Sequence, residues 1–204
     1  MPVKTGKAER NALRQQIRLQ RRAMTATEQA ACAHRLARHA GKDPLVFNSR
    51  HIAAYLAADG EMDPWPLMER LWSLGKTLYL PILVPFSDQR LWFSAYKPGD
   101  PLIVNRFGIL EPERHHYRRI RPAALDLVLT PLVAFDPMGH RLGMGGGYYD
   151  RSFAFLNTRR HWRKPRLLGL AYEFQRHSLL EAEAWDVPLD AVATEACVYH
   201  SPAP

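Results

Sequence analysis

A glycine-rich segment followed by a carboxylate is the feature of this sequence most typical of a ligand site. Residues 141–151, RLGMGGGYYDR, contain four glycines, which are Gly143, Gly145, Gly146 and Gly147. Glycine has no Cβ, so its backbone can adopt positive φ and approach a ligand closely. Successive unpaired backbone N–H groups bind anions, and phosphate chains are common ligands of such loops. The segment therefore predicts a phosphate-binding loop ahead of a metal-type carboxylate, and a turn without a ligand is the alternative.

The spacing differs from two common phosphate-binding motifs. It lacks the lysine and the hydroxyl residue of the Walker loop, and it does not match G-x-G-x-x-G with an acidic residue about 20 positions later. A nicotinamide-dependent enzyme would share the glycine loop, but this mismatch argues against it. An RNA-binding module would explain basic charge and aromatic residues, but not a glycine loop that ends in an aspartate.

Strands and helices are predicted to alternate around this segment. Compact apolar runs predict strands, and apolar residues at helical spacing predict helices. The predicted strands are 51–58, 77–83, 91–96, 125–135 and 166–172. The predicted helices are 8–23, a second from the Thr25/Glu28 capping box to Gly41, a third from Asp63-Pro64 to about Leu74, and a fourth beginning in YYDRSFAFL.

This alternation predicts an α/β protein, a three-layer α/β/α Rossmann-like fold with a mainly parallel sheet. Ligands of such sheets bind at the carboxyl ends of the strands. The glycine segment follows strand 125–135 after a short turn, so it lies where a site is expected.

The composition is that of a globular protein. With 204 residues, of which 47% are hydrophobic, the chain can bury a full core, and we expect one domain over residues 1–204. The longest apolar run, 125–135, is interrupted by an aspartate and a proline, so we expect no signal peptide and no membrane span. Two cysteines, Cys32 and Cys197, favour a reduced cytoplasmic protein without a zinc site.

The net charge of +8 raises the question of a nucleic-acid partner. The basic residues are scattered, and the densest cluster lies on the N-terminal basic helix of about 8–24, where it contains Arg14, Arg18, Arg21 and Arg22. A solvated helix face explains most of these arginines. We therefore expect no nucleic-acid partner, and small acidic ligands remain an alternative.

Residues 129–151, LTPLVAFDPMGHRLGMGGGYYDR, resemble the 5-formyltetrahydrofolate cyclo-ligases, also called methenyltetrahydrofolate synthetases. The hallmark of that family is R-L-G-x-G-x-G-[YF]-Y-D after a strand and an F-D-x-x-G turn. Three weaker stretches agree in order, RNALRQQIRLQRRAM, IAAYLAADGEMD and EAWDVPLD, so the similarity covers about residues 10–200. Many members carry lysine at the position of Gly146, so other bases must supply that charge here.

The resemblance implies an activity that needs ATP and magnesium. It is the conversion of 5-formyltetrahydrofolate, with or without a polyglutamate chain, to 5,10-methenyltetrahydrofolate with release of ADP and phosphate. Phosphoryl transfer to the formyl oxygen makes that oxygen a leaving group, and the 10-nitrogen then closes the ring. The partner is this small-molecule substrate, and the expected protein is a cytoplasmic monomer without a nucleic-acid or membrane partner.

The resemblance also implies where the nucleotide and the metal bind. The nucleotide-binding residues would be Arg10, Arg14, Arg141, Leu142, Gly143, Met144, Gly145, Gly146, Gly147, Tyr148 and Tyr149. Magnesium would be held by Asp150 and Asp186. From the residues alone, Asp150 could instead cap the next helix, Asp186 could start a turn, and each arginine could be solvated.

Folate would lie beside the same loop. The implied folate-binding residues are Leu56, Glu61, Phe107, Met144, Gly145, Gly146, Gly147 and Tyr148, and the implied catalytic residues are Glu61, Arg141 and Tyr148. Leu56 and Phe107 could instead be core residues, and Glu61 could favour the start of the helix near Asp63. The adjacent His115 and His116 lack further ligands and are assigned to a loop.

Overall fold

An eight-stranded sheet forms the centre of the protein. The structure, a computed structural model, describes residues 6–83, 90–106, 108–113, 119–159 and 163–202. The strands of the described chain are β1 (His51–Ala53), β2 (Thr77–Leu83), β3 (Leu91–Ala95), β4 (Leu102–Val104), β5 (Leu110–Pro112), β6 (Arg119–Ile120), β7 (Leu127–Pro131), β8 (Ala134–Phe135), β9 (Arg141–Leu142), β10 (Arg166–Leu170), β11 (Ala191–Ala193) and β12 (Val198–His200).

Helices connect these strands and cover the sheet. The α-helices of the described chain are α1 (Lys7–Ala23), α2 (Ala26–Ala40), α3 (Pro44–Phe47), α4 (Trp65–Ser73) and α5 (Tyr148–Phe153). Short 3-10 helices lie at Pro122–Ala124, Ala154–Thr158 and Glu173–Gln175. No helix within the described residues is long and apolar enough to cross a membrane.

The large sheet has the order β12-β11-β10-β7-β1-β2-β3-β6. The five strands from β11 to β2 are parallel, and the antiparallel strands β12, β3 and β6 extend the two edges. The chain passes from β1 to β2 on one side and later to β7 on the other side. The strand order therefore reverses between β1 and β7, which is the point where ligands bind in open α/β sheets.

Alternate side chains of the sheet build two cores. In β7, Leu127 and Leu129 belong to the cluster that contains the buried side chains of α2 and α4, whereas Val128 belongs to the cluster of Phe153 and Leu156. This is the period of two expected for a strand that is covered on both faces. The predicted α/β class with a mainly parallel sheet is confirmed.

Two predicted strands are shorter in the structure. The run 51–58 leaves the sheet after Ala53, and it ends in a turn in which Glu61 N donates to Ala58 O at 3.0 Å. The run 125–135 is interrupted after Pro131. The buried Gln175 side chain donates to the carbonyls of residues 132 and 133, at 2.9 and 2.7 Å, and so removes them from the strand ladder.

The predicted helices agree with the structure to within two residues at each end. The Thr25/Glu28 capping box is present, since the Thr25 hydroxyl accepts from Glu28 N and the Glu28 carboxylate accepts from Thr25 N. Helix α3, the β4–β5 hairpin and strands β6, β9, β11 and β12 were not predicted. Each has four residues or fewer, which is too short for a periodic pattern to emerge.

Candidate functional site

A cavity of about 630 Å³ opens at the carboxyl ends of β1, β2 and β7. It is lined by one face of α1, the chain after β1, the end of β2, part of the β4–β5 hairpin, the 141–150 segment and the 180–186 segment. Its volume lies within the range of about 300–1,000 Å³ that is typical of small-molecule sites. The cavity therefore occupies the reversal point of the sheet.

The 141–150 segment, which we call the glycine loop, forms one wall. Gly145 has φ +98° and Gly147, the residue before α5, has φ +65°, so both need the left-handed freedom of glycine. Arg14 reaches the loop from α1, and its Nε donates to Gly143 O at 2.8 Å. A Cβ added to Gly145 would lie 3.8 Å from the Arg14 guanidinium carbon. Arg14 is thus a base held directly against the glycine loop.

Arg141 and Asp150 form an ion pair at the base of the loop. The Arg141 side chain is 5% exposed, and it donates to the Asp150 carboxylate and to Val187 O. The interpretation of Arg141 as a solvated surface residue is wrong. Asp150 does not cap α5, because the cap position is Gly147 and no side chain bonds there.

Asp186 faces the same part of the cavity as Asp150. Its carboxylate accepts from Glu183 N at 2.9 Å, and its own N–H donates to Glu183 O, so it does close a turn. Burial raises the pKa of Asp186, and the negative charge of Asp150 adds to that rise. In the described part of the chain, no cluster of three or more histidine, cysteine or acidic side chains is arranged for a metal. Two carboxylates nevertheless match magnesium, which takes its other ligands from phosphate and water.

The arginines of α1 are solvated only in part. Arg10 pairs with Glu183, and the Nε atoms of Arg18 and Arg22 donate to the two oxygens of Asp59, each at 2.6 Å. Asp59 has φ +50°, a left-handed conformation that aspartate tolerates better than most residues. Arg21 is 1% exposed. The solvated-face interpretation therefore fails for Arg21, whereas the side chain of Arg22 stays 57% exposed beside Asp59, because helical spacing cannot show what lies opposite a helix.

Glu61 lines the same cavity from the chain after β1. It is half-buried, its carboxylate accepts from Ala58 N at 3.2 Å, and burial raises its pKa. Burial also raises the pKa of Tyr149, and the charge of Glu61 contributes to that shift. Helix α4 begins at Trp65, and its first N–H donates to the Asp63 carboxylate and not to Glu61.

The family model for the 5-formyltetrahydrofolate cyclo-ligase family matches residues 6–195. The chain belongs to this family. A 5-formyltetrahydrofolate cyclo-ligase of Escherichia coli is 42% identical over 183 residues, covering 90% of this chain and 98% of the relative. The Haemophilus influenzae cyclo-ligase is 39% identical over 89% of this chain and 95% of its own length. The NMR structure of Aquifex aeolicus 5,10-methenyltetrahydrofolate synthetase has a TM-score of 0.77 at 30% identity, over 96% of this chain and 94% of that one.

Most of the site residues that the cyclo-ligase resemblance implied line this one cavity. They are Arg10, Arg14, Leu56, Glu61, the segment 141–149, Asp150 and Asp186. Tyr148 is half-buried there, and its hydroxyl accepts from Arg106 at 3.0 Å. Phe107, His115 and His116 lie outside the described residues. Whether each lining residue binds a ligand stays a prediction.

Several residues that line the cavity were not predicted from the sequence. Trp185 is 65% exposed at the cavity, and Tyr55, Arg18, Asp59 and Leu180 also line it. Trp185 could have been predicted at the cavity, because it lies beside Asp186 in the EAWD segment. The indication for Asp59 was weaker, because an aspartate before a glycine is typical of a turn.

We expect Asp150→Asn to lower the free energy of unfolding by about 1–3 kcal/mol, because it removes the charge that pairs with the buried Arg141 guanidinium. The measurement is urea unfolding of the ligand-free protein at neutral pH.

Asp186→Asn is the matched control. The folded state raises the pKa of Asp186, so the folded protein binds the carboxyl proton of this residue more tightly than the unfolded chain does. The ionised Asp186 carboxylate therefore destabilises the folded protein at neutral pH. The Asp186→Asn variant should be as stable as the wild type or more stable. Equal stability of Asp150→Asn and the wild type would contradict the ion pair.

Proposed function

We propose that the protein converts 5-formyltetrahydrofolate to 5,10-methenyltetrahydrofolate, with ATP as phosphoryl donor and magnesium as its metal. The observation that carries this proposal is the pairing of two different walls in one cavity. One wall is a glycine loop with Arg14 against it, and the other is a half-buried carboxylate, Glu61, among apolar residues. The relatives named as cyclo-ligases over most of their length support the same activity.

The reaction needs an activated oxygen. The γ-phosphoryl group leaves ADP and bonds to the formyl oxygen, which turns a poor leaving group into a good one. The 10-nitrogen then attacks the formyl carbon and loses its proton, and the carbon–oxygen bond breaks to release phosphate. Such a transfer requires positioning and charge neutralisation more than a protein nucleophile.

The nucleotide would lie along the glycine loop. The backbone N–H groups of the glycine loop would bind the phosphates, and Arg14, which donates to Gly143 O, would add a positive charge from α1. Arg141, already paired with Asp150, would add its charge at the base of the loop. Asp150 and Asp186 would hold magnesium, which when bound offsets the charge of the phosphate oxygens.

The folate would occupy the apolar wall. Leu56, Met144 and Tyr148 would contact the flat ring system, and the Glu61 carboxylate would accept a hydrogen bond from a pterin N–H or orient the 10-nitrogen. Burial of this carboxylate strengthens its interactions, because the local dielectric is lower than in water. Glu61, Arg141 and Tyr148 are the residues to which we assign catalytic roles.

One assay tests the proposed function directly. The purified protein is incubated with 5-formyltetrahydrofolate, ATP and magnesium, and the methenyl product is followed by the absorbance of its extended conjugation. We expect product only when all three are present, with one ADP released for each product. Product formation without ATP, or none in the complete mixture, would contradict the proposal.

Glu61→Gln should weaken the folate half of the site alone. It preserves shape and removes the charge, so kcat/KM for the folate should fall by about 1.5–3 kcal/mol of transition-state stabilisation, the scale of a charged hydrogen bond. Steady-state kinetics measure the folate effect, and calorimetric titration with a non-hydrolysable ATP analogue measures nucleotide binding. A loss confined to nucleotide binding, or no loss in either, would remove Glu61 from the folate site.

Gly145→Val should weaken the nucleotide half of the site alone. A β-branched residue at φ +98° strains the loop by about 1–2 kcal/mol and adds bulk where the backbone faces the ligand, so ATP affinity should fall about tenfold or more.

Gly99→Val is the matched control for this loop variant. It carries a similar strain at φ +90° in a turn where an added Cβ meets nothing within 4 Å. We expect this control to lose stability without losing ATP affinity. Unchanged ATP binding by Gly145→Val would mean that the glycine loop is only a turn.

A further inference from the structure

Arg21 carries a buried charge that the proposed function does not use. Its side chain lies within the protein, and neither Nε nor Nη2 has a hydrogen-bond partner in the described chain. Its neighbours Arg18 and Arg22 are both paired with Asp59. A guanidinium does not lose its proton in proteins, and an uncompensated buried charge is costly. The position of Arg21 therefore calls for a nearby negative group.

Arg21 lies against the turn that carries Glu61. A Cβ added to Gly60 would lie 3.2 Å from Arg21 Cβ and 3.3 Å from the Arg21 carbonyl group, so α1 packs tightly against this turn. The Gln29 side chain donates to Arg21 O at 3.1 Å from α2. From the other side, the Tyr172 hydroxyl donates to Glu61 O at 3.5 Å. Arg21 is thus enclosed between two helices and the turn before Glu61.

The charged and titratable groups that face Glu61 come from four elements. They are Arg21 from α1, Asp59 and Tyr55 from the chain after β1, Tyr149 from α5 and Tyr172 from the chain after β10. Arg21 supplies the positive charge among them. It lowers the pKa of Glu61 against the effects of burial and of Asp59, and it also lowers the pKa of Tyr172, which burial raises to about 12.

We propose that Arg21 is a positioning residue for Glu61, whose buried and permanent positive charge holds the Glu61 carboxylate as an anion toward the cavity. Arg21 is not among the residues that line the cavity in the described chain, so it acts through Glu61 and not by contact with a substrate. Without this charge, a carboxylate removed from water takes up a proton more readily. The inference rests on the proposed function, in which ionised Glu61 binds the folate.

The direct test is the titration of Glu61 in the full chain labelled with carboxyl-13C glutamate. The Glu61 resonance is identified by its absence in Glu61→Gln. Arg21→Met removes the charge at similar length, and we expect it to raise the pKa of Glu61 by about one unit or more. Arg21→Lys keeps the charge and should retain the wild-type titration. Arg38→Met, which removes an exposed arginine from α2, is the control for net charge and should leave the titration unchanged.

Kinetics give an independent measurement of the same effect. In Arg21→Met the acid limb of kcat/KM for the folate should move to higher pH, while the KM for ATP stays at the wild-type value. In the Glu61→Gln background, Arg21→Met should produce no further change in this profile. Equal shifts in both backgrounds would show that Arg21 acts on the fold and not through Glu61.

An unchanged Glu61 titration in folded Arg21→Met would overturn the inference. A shift of the Glu61 titration in Arg21→Lys as large as that in Arg21→Met would also overturn it. If Arg21→Met does not fold, the lysine variant decides, because retention of the wild-type titration supports the inference and a shifted one contradicts it. The titration needs no turnover, so a protein inactive on folate would contradict the proposed function and still test Arg21.

Discussion

Charge pairing between α1 and the loops at the carboxyl edge of the sheet is the interaction on which the cavity depends. Arg10 binds Glu183, Arg14 binds the carbonyl of Gly143, and Arg18 binds Asp59. Exposed ion pairs contribute little to stability one by one. Here two ion pairs and one hydrogen bond to a carbonyl extend from one helix to three separate loops, so together they fix the loops relative to one another. The basic charge of the first helix is therefore explained largely within the protein.

The reversal of strand order explains why two unlike walls meet. The chain after β1 carries Glu61, and the chain after β7 leads into the glycine loop, and these strands are neighbours in the sheet. A phosphate-type wall and an apolar wall with one carboxylate are thereby brought to one cavity. For a reaction that joins a nucleotide phosphate to a folate oxygen, this arrangement supplies proximity before any side chain takes part in the chemistry.

Local features of the sequence predicted the glycine loop, and the family resemblance supplied most of the other residues that line the cavity. The glycine loop and the strand at 77–83 follow from composition and period, and both are present. Features that depend on distant contacts were missed. The apolar run 51–58 cannot show that it leaves the sheet, because Ala54 and Tyr55 stay buried after the strand has ended. Arg21 has the same spacing signal as Arg18, and only packing against Gly60 separates the buried arginine from the paired one.

The central claim is that the phosphoryl group is transferred to the formyl oxygen within this cavity. The most direct measurement uses 5-formyltetrahydrofolate labelled with 18O in the formyl group, together with ATP and magnesium, and mass spectrometry of the phosphate released. The account predicts that each phosphate formed with methenyl product carries one 18O from the formyl group. Unlabelled phosphate, with the 18O released in water, would contradict phosphoryl transfer to the formyl oxygen and the arrangement of the site that we propose for it.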